Sequence, residues 1–380
     1  MAASLARFRM GPQMKLSGIR VLDLSQFLPG PHLTMTMADH GADVIMVEPA
    51  NGTGEPTRAM GVKARDGTSV WFRNIARGKR ATALDLKNPA QREFFLALAD
   101  EADVIVEAFR PGVVKRLGID YDTVAARNPG IVYCAISAFG QDGPLRDKPA
   151  HDLAVQALAG TVDLVKPAMP NLVAADMAAS LTALSAILLA LLARVRTGKG
   201  DYIDVAMFDA LLAWTPNISG GVLGRDEAPV PAYMRNYGGQ AMNRLYATKD
   251  GGLIALAGNE RKFCQSLLAT LGRPDLVDLA ASEPGPAQQP LIEFFTAAFR
   301  GKTRAEWEEF LAPLDLCWAP VQTLKDAFDD PHTAARGMVL KDATGNRHIG
   351  PAAGFRNEPA RPDFALPPYV SFAPLAWKPR

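Results

Sequence analysis

An α/β fold built on a mostly parallel sheet is what this 380-residue sequence predicts, and three observations predict it. Short β-rich runs alternate with helical patterns through the first half of the chain. The stretches between those runs read as crossover helices, the connection that parallel strands need. The chain is also too long for one ordinary core, so two domains, or one large one with an insertion, are expected.

The elements follow in order. "IRVLDLS" is a strand, and Pro29-Gly30-Pro31 after it reads as a sharp break. "HLTMTMADHG" reads as a helix ending near Gly41, and "ADVIMVEP" as a second strand. "ATALDLKN" is a third strand, followed by a helix over "PAQREFFLALADEA" with Pro89 near its first turn, where proline is tolerated. "ADVIVEAF" and "IVYCAIS" are strands separated by a helical stretch. Helices are expected over Asp152 to Ala159 and over Met177 to Arg196, and "GDYIDVAMFDALLAW" reads as strand then helix. Dense glycine and proline from Gly220 to Gly239 mark a linker or a loop over a site. A second unit begins near Asn243 with a hairpin, "RLYATKDGGLIALAG", turning at Lys249-Asp250-Gly251-Gly252. Helices then cover Glu260 to Leu271, Pro290 to Phe299 and Thr303 to Leu311, and the proline-rich tail after Asp342 is expected to lie extended on the outside.

Composition excludes several classes of function. With 48% apolar and 21% charged residues the chain is an ordinary soluble globular protein. A net charge of +1 gives no electrostatic case for nucleic acid or an anionic membrane. Any bound anion must therefore meet a local basic pocket. Cys134, Cys264 and Cys317 are scattered, with no CxxC or zinc spacing, which suits a reducing compartment and no metal centre. The start "MAASLARFRMGPQMKLSG" has two arginines but no apolar core of a secretory signal, and Met14 is an alternative start. Met177 to Val195 is long enough to span a membrane, but Ser180, Thr182 and Ser185 interrupt it and it reads as a buried central helix. A cytoplasmic protein is expected.

"LSQFLPGPH" stands where a dinucleotide fingerprint would begin. GxGxxG is absent, and Phe27, Leu28 and Pro29 replace the glycines that let backbone approach a pyrophosphate. A nicotinamide dehydrogenase is disfavoured.

Asp176 is the strongest single candidate for chemistry. It directly precedes the long apolar helix, at an N-cap or first-turn position. Its bland role is a cap, contributing roughly 0.5–2 kcal/mol. In the functional reading the helix dipole holds the carboxylate ionised, ready as nucleophile or base. His151 sits where a loop enters a helix; Asp152 beside it is the better cap, and His151 the better functional side chain. Glu260 opens a helix after a strand, where a first-turn acid complements the dipole. Basic residues cluster in "RNIARGKR" (residues 73–80) and at Arg110, Lys115 and Arg116, beside strand ends of the sheet. Solvated surface is their ordinary role; two cationic patches there would also suit a phosphorylated cofactor.

Six segments stand in order along the chain: "LSGIRVLDLSQFLPGPHLTMTMADHGADVIMVEP", "RGKRATALDLKNPAQREFF", "ADVIVEAFRPGVVKRLGID", "NPGIVYCAISAFGQDGPLRDKPAHD", "ADMAAS" and "RTGKGDYIDVAMFDA". By these the chain resembles the family III CoA-transferases, the CaiB/BaiF superfamily that includes formyl-CoA transferase and α-methylacyl-CoA racemase. The resemblance implies a Rossmann-like large domain over residues 14–224, a smaller inserted α/β domain over 225–330, a return to the large domain over 331–380, and an interlocked homodimer. Asp176 matches the family's catalytic aspartate, which attacks an acyl-CoA thioester to give an aspartyl anhydride and then an aspartyl-CoA thioester. The partners implied are acyl-CoA and a small carboxylic acid, with no metal. Coenzyme A would lie along positions matching Gln26, Phe27, Leu28, Lys79, Arg80, Phe109, Arg116 and Leu117. The chain has Pro49 and Ala108 where some relatives carry polar contacts, and it ends "LPPYVSFAPLAWKPR" where members usually carry a "GEHT"-type motif.

Within the family, His151, Asp176 and Glu260 also match the residues of the racemases, where two bases flank one α-carbon. "ADMAASLTALS" has the alanine pattern of transferases where racemases carry glycines, and "HDLAV" stands in place of "HDINY". A CoA-transferase is therefore expected, with a 2-methylacyl-CoA racemase and a non-catalytic CoA-binding homologue as the alternatives.

Overall fold

The computed structural model describes residues 14–380. Arg7 and Arg9, on which the reading of the leader rests, lie outside the described residues. The chain divides into two compact units. One takes the chain up to Ala159, Asn171–Trp214 and Pro331–Arg380; the other takes Gly160–Pro170 and Thr215–Asp330. The boundaries expected from the sequence are 225 and 331.

The first unit is built on six strands: β1 (Arg20–Leu24), β2 (Asp43–Pro49), β3 (Arg80–Leu84), β4 (Val104–Glu107), β5 (Val132–Ser137) and β6 (Asp201–Ala206). All five pairings are parallel, in the order β3-β2-β1-β4-β5-β6. Parallel strands are buried on both faces and read as near-continuous apolar runs. Here the two faces alternate residue by residue. On one face, Val104, Val106, Val132, Cys134 and Ile136 pack with α1 (Pro29–Asp39), α6 (Asp152–Leu158), α7 (Ala174–Thr197) and α8 (Met207–Leu212). On the other, Leu22, Leu24, Ile105 and Tyr133 pack with α3 (Pro89–Asp100), α4 (Val113–Leu117) and α5 (Tyr121–Arg127). The direction of winding reverses between β1 and β4, which opens a crevice beyond their carboxyl ends, where ligands bind in sheets of this order.

Two local readings change. Pro29-Gly30-Pro31 is not a break: both prolines lie in the first turn of α1, where an N–H would have no partner anyway. Gly30 is required there, because a Cβ would stand 2.1 Å from Ser25 Oγ, so the helix rests directly on the strand end. The long helix α7 is also not wholly core. Ala175, Ala179, Ala183, Ile187 and Leu191 bury one face at four-residue spacing, while Leu189, Leu192 and Val195 are 68%, 70% and 86% exposed. It is long and apolar enough to cross a membrane by length and composition, and its buried stripe packs against α1, β5 and β6.

The proline-rich tail runs along edge strand β3. Val370 O accepts the Ala83 N–H at 3.3 Å, Ala373 O accepts the Thr82 hydroxyl at 3.2 Å, and Trp377 is buried with its indole donating to Leu98 O at 3.0 Å. Covering an edge in this way removes a template for aggregation. A short antiparallel hairpin, Val339–Lys341 with Arg347–Ile349, precedes it.

The second unit carries the predicted hairpin, β7 (Asn243–Ala247) with β8 (Leu253–Ala257), extended by a third antiparallel strand, Trp318–Pro320. Its core gathers Tyr246, Phe295, Phe299 and Trp307. The glycine-rich stretch from 220 to 239 is not all loop: Gly220–Arg225 is a short helix and two 3-10 turns follow.

Candidate active site

The carboxyl edge of the sheet holds a cavity of about 160 Å³ lined by the ends of β1, β2 and β3, the loop after β4, and α4. Gln26, Phe109 and Leu117, three of the positions expected to meet coenzyme A, line it together with Leu24, Val47, Pro49 and Leu86. Phe109 is oriented by its own strand: its N–H donates to Glu107 Oε2 at 2.7 Å. Burial pushes the Glu107 carboxyl up to about 8. Leu28 caps α1 and packs against the small cluster of Met46, Phe72, Ile75 and Ala76.

Phe27 departs from ordinary backbone. Its φ is 66°, in the left-handed region that non-glycine residues rarely enter, where strain accompanies function more often than elsewhere. Its ring meets His151 edge-on, with centroids 5.7 Å apart. His151 is exposed and supplies the backbone cap of α6 without a side-chain hydrogen bond.

Asp152 is the connector. It is a cap, but not of the helix it begins. Its Oδ1 accepts the backbone N–H of Ala175 at 2.8 Å and of Asp176 at 3.1 Å, at the amino end of α7. Its other oxygen accepts from Gln156 at 2.6 Å. Asp176 has the first-turn position expected of it, and the capping role falls to Asp152. Asp176 lies in the first turn of α7, after a Val173 N-cap whose side chain donates and accepts nothing, and its carboxylate has no protein partner among the described residues. The helix dipole does not hold it ionised. Burial, and then the negative charge of Asp152, push its carboxyl up to about 7. Near neutrality it is therefore a comparatively basic carboxylate, half-buried and free to react.

The basic run 73–80 has a different use from the one expected. It precedes β3, so Arg80 begins that strand and lies away from the carboxyl-edge cavity; Arg80 pairs with Asp43 at 2.6 Å and donates to Ala376 O. Lys79 and Asp23 are both wholly buried, 2.9 Å apart, and the ammonium also donates to Pro31 O. Burial lowers the Lys79 pKa, and Asp23 opposes that. Arg77 pairs with Asp39 and Arg73 with Asp66. All four cations of the run are ion-paired within the chain, Lys79 to Asp23 and Arg80 to Asp43 among them, which gives Lys79 and Arg80 a structural use. Arg116 remains exposed on α4, and a Cβ on Gly112 would stand 3.5 Å from its guanidinium and 3.6 Å from that of Arg146.

Lys87, which the sequence reading missed, lines the cavity just beyond β3. Its signal was positional: it follows the carboxyl end of the strand, whereas 73–80 precedes the strand. His32 was also missed. Its Nδ1 lies 2.9 Å from the Ser180 hydroxyl, tying α1 to α7 one turn beyond Asp176, and burial first, then Lys79 and Arg77, lower its pKa. Nothing in either sequence segment signals that pairing.

Glu260 belongs to the second unit. It is the exposed N-cap residue of the helix Arg261–Thr270, one position earlier than a first-turn acid, and its side chain caps nothing. Beside it, the Asn259 side-chain amide is buried with neither atom hydrogen-bonded. Among the described residues no group of His, Cys, Asp and Glu is placed to hold a metal ion.

Comparison with known proteins bears on this arrangement. The model of CoA-transferase family III matches residues 16–370. The succinyl-CoA:glutarate CoA-transferase of Mus musculus is 30% identical over 86% of this chain and 76% of that protein. The α-methylacyl-CoA racemase of Homo sapiens is also 30% identical, over 94% and 91%. A crystal structure of a CaiB/BaiF family protein from Brucella suis superposes with a TM-score of 0.81 at 30% identity, covering 94% of this chain and 97% of that one.

Proposed function

From the premise that this chain belongs to CoA-transferase family III, we propose that it moves coenzyme A from an acyl-CoA thioester to a free carboxylic acid through covalent intermediates on Asp176. The observation that carries the reading is the division of labour between two aspartates. Asp152 satisfies the free N–H groups of α7, which leaves the Asp176 carboxylate unpartnered at the head of the helix.

In this mechanism the Asp176 carboxylate attacks the thioester carbonyl. The C–S bond breaks, coenzyme A leaves as thiolate, and a mixed anhydride remains. The thiolate then attacks the aspartyl carbonyl, releasing the first acid and forming an aspartyl-CoA thioester. The acceptor carboxylate attacks that thioester, breaking its C–S bond to give a second anhydride and free thiolate; the thiolate then attacks the acceptor-derived carbonyl, forming the new acyl-CoA and releasing the Asp176 carboxylate. A carboxylate raised towards neutrality is a better nucleophile than an ordinary one, and splitting the exchange avoids a direct reaction of carboxylate with thioester. The nucleotide end of coenzyme A would follow the carboxyl edge of the sheet, past Gln26, Phe109 and Leu117, with Lys87 of the cavity wall and the exposed Arg116 on α4 as the cations for its phosphates. His151 and Phe27 would line the acyl end. The exposed leucine face of α7 is the surface on which a second copy would pack, giving a homodimer, and the reaction would run in the cytoplasm.

Incubation with a panel of acyl-CoAs, hydroxylamine trapping and mass spectrometry of the Asp176 peptide tests the proposal. A hydroxamate at Asp176 is expected. Deuterium entering the α-position of a 2-methylacyl-CoA in heavy water, with no adduct, would overturn it in favour of a racemase in which His151 and Asp176 serve opposite faces of the carbon.

A further inference from the structure

Phe27 holds a backbone conformation that its side chain disfavours, and one buried acid faces its N–H. Glu55, in the short turn after β2, is 2% exposed. Its Oε1 accepts the Phe27 N–H at 2.9 Å, while Oε2 accepts the Thr57 N–H at 2.7 Å and the Thr57 hydroxyl. Glu55 is itself anchored. Its N–H donates to Glu48 Oε1 at 2.8 Å, and Glu48 is gripped through both oxygens by Arg58, at 2.7 and 2.8 Å. Arg58 in turn lies over the Phe72 ring, 4.2 Å from its centroid. Gly54 lets the chain pass this anchor: at φ 73° a Cβ there would stand 2.5 Å from the Glu48 carboxylate. A strained residue persists only where its surroundings over-determine it, and here the surroundings are a carboxylate fixed from behind.

We infer that Glu55 is a positioning residue for the acyl-CoA cleft: by holding the Phe27 N–H it keeps Phe27 left-handed and turns its ring against His151. From there a chain of contacts runs on. His151 adjoins Asp152, and Asp152 accepts the N–H of Asp176. Glu55 touches no substrate in this arrangement; it acts through the shape of the turn. The inference rests on the proposed function for its effect on coenzyme A, but the geometric part stands on its own.

The test compares wild type, Glu55→Gln, Glu55→Ala, Phe27→Gly and the Glu55→Ala/Phe27→Gly double variant. The His151 imidazole resonance, identified by its loss in His151→Gln, reads the ring position without any ligand. Glu55→Ala is expected to shift that resonance towards its Phe27→Gly value, and Glu55→Gln, which keeps an acceptor oxygen, to shift it little. Glu55→Ala should also weaken coenzyme A binding by about tenfold, the order of strain that a left-handed non-glycine residue sheds on relaxing. In the Phe27→Gly background, where glycine takes positive φ freely, the same change should do nearly nothing further. An unmoved His151 resonance, or an equal loss of affinity whichever residue stands at 27, overturns the inference. Should Glu55→Ala fail to fold, the double variant is expected to fold, and its failure would equally overturn it. A wild type that binds no coenzyme A, with His151 responding as described, sinks the proposed function and leaves the positioning role intact.

Discussion

The carboxylate of Asp152 accepts the backbone N–H of Asp176 across 24 residues of sequence, at 3.1 Å. One aspartate therefore serves the helix end electrostatically, and the other keeps its side chain free at the same place.

Replacing Asp152 by Asn separates these effects. The negative charge that helps to raise the Asp176 carboxyl is removed, so the acid limb of the pH–rate profile should move to lower pH. Asn keeps an acceptor oxygen for the α7 N–H groups, so the urea denaturation midpoint should change little. An acid limb that stays in place would show that burial alone sets the basicity of Asp176.

Asp176→Asn should abolish acyl transfer and raise stability at alkaline pH. The Asp176 carboxyl is raised in the folded state, so between about pH 4 and 7 the folded chain binds the extra proton and stability falls as pH rises. Above that window the wild type carries a half-buried charge that the variant lacks. Melting should show the variant ahead at pH 8 and level with wild type at pH 4.

Lys79→Met should damage folding and not ligand binding. It leaves Asp23 buried without its cation, a change that costs about 3–5 kcal/mol when one member of such a pair is removed. Arg116→Met and Lys87→Met should do the reverse, weakening coenzyme A binding and its salt dependence while leaving the denaturation midpoint unchanged. Denaturation and isothermal titration on the three variants check both halves.

Leu192→Glu, on the exposed face of α7, should turn a dimer into a monomer in analytical ultracentrifugation, because a charge there opposes burial against a second copy. A wild type that sediments as a monomer would remove the dimer from the proposal.

Much of the fold was legible because periodicity is local. "IRVLDLS", "ADVIMVEP" and "IVYCAIS" became β1, β2 and β5, and each is an apolar run short enough to be a buried strand. Charge was less legible. "RNIARGKR" looks cationic in sequence, yet its acids Asp23, Asp39, Asp43 and Asp66 come from other segments, and no local pattern announces such pairing.

By itself, the sequence determined the alternation of strands and helices, membership of the family, and the place of Asp176 at the head of the long helix, because these depend on residue type and order along the chain. Only the tertiary structure decided what surrounds Asp176. Its basicity comes from burial and from Asp152, the Phe27 N–H finds its acceptor in Glu55, and Lys79 is buried against Asp23. Each of these is an interaction between groups distant in sequence, and desolvation and hydrogen bonding act only once the chain has brought them together.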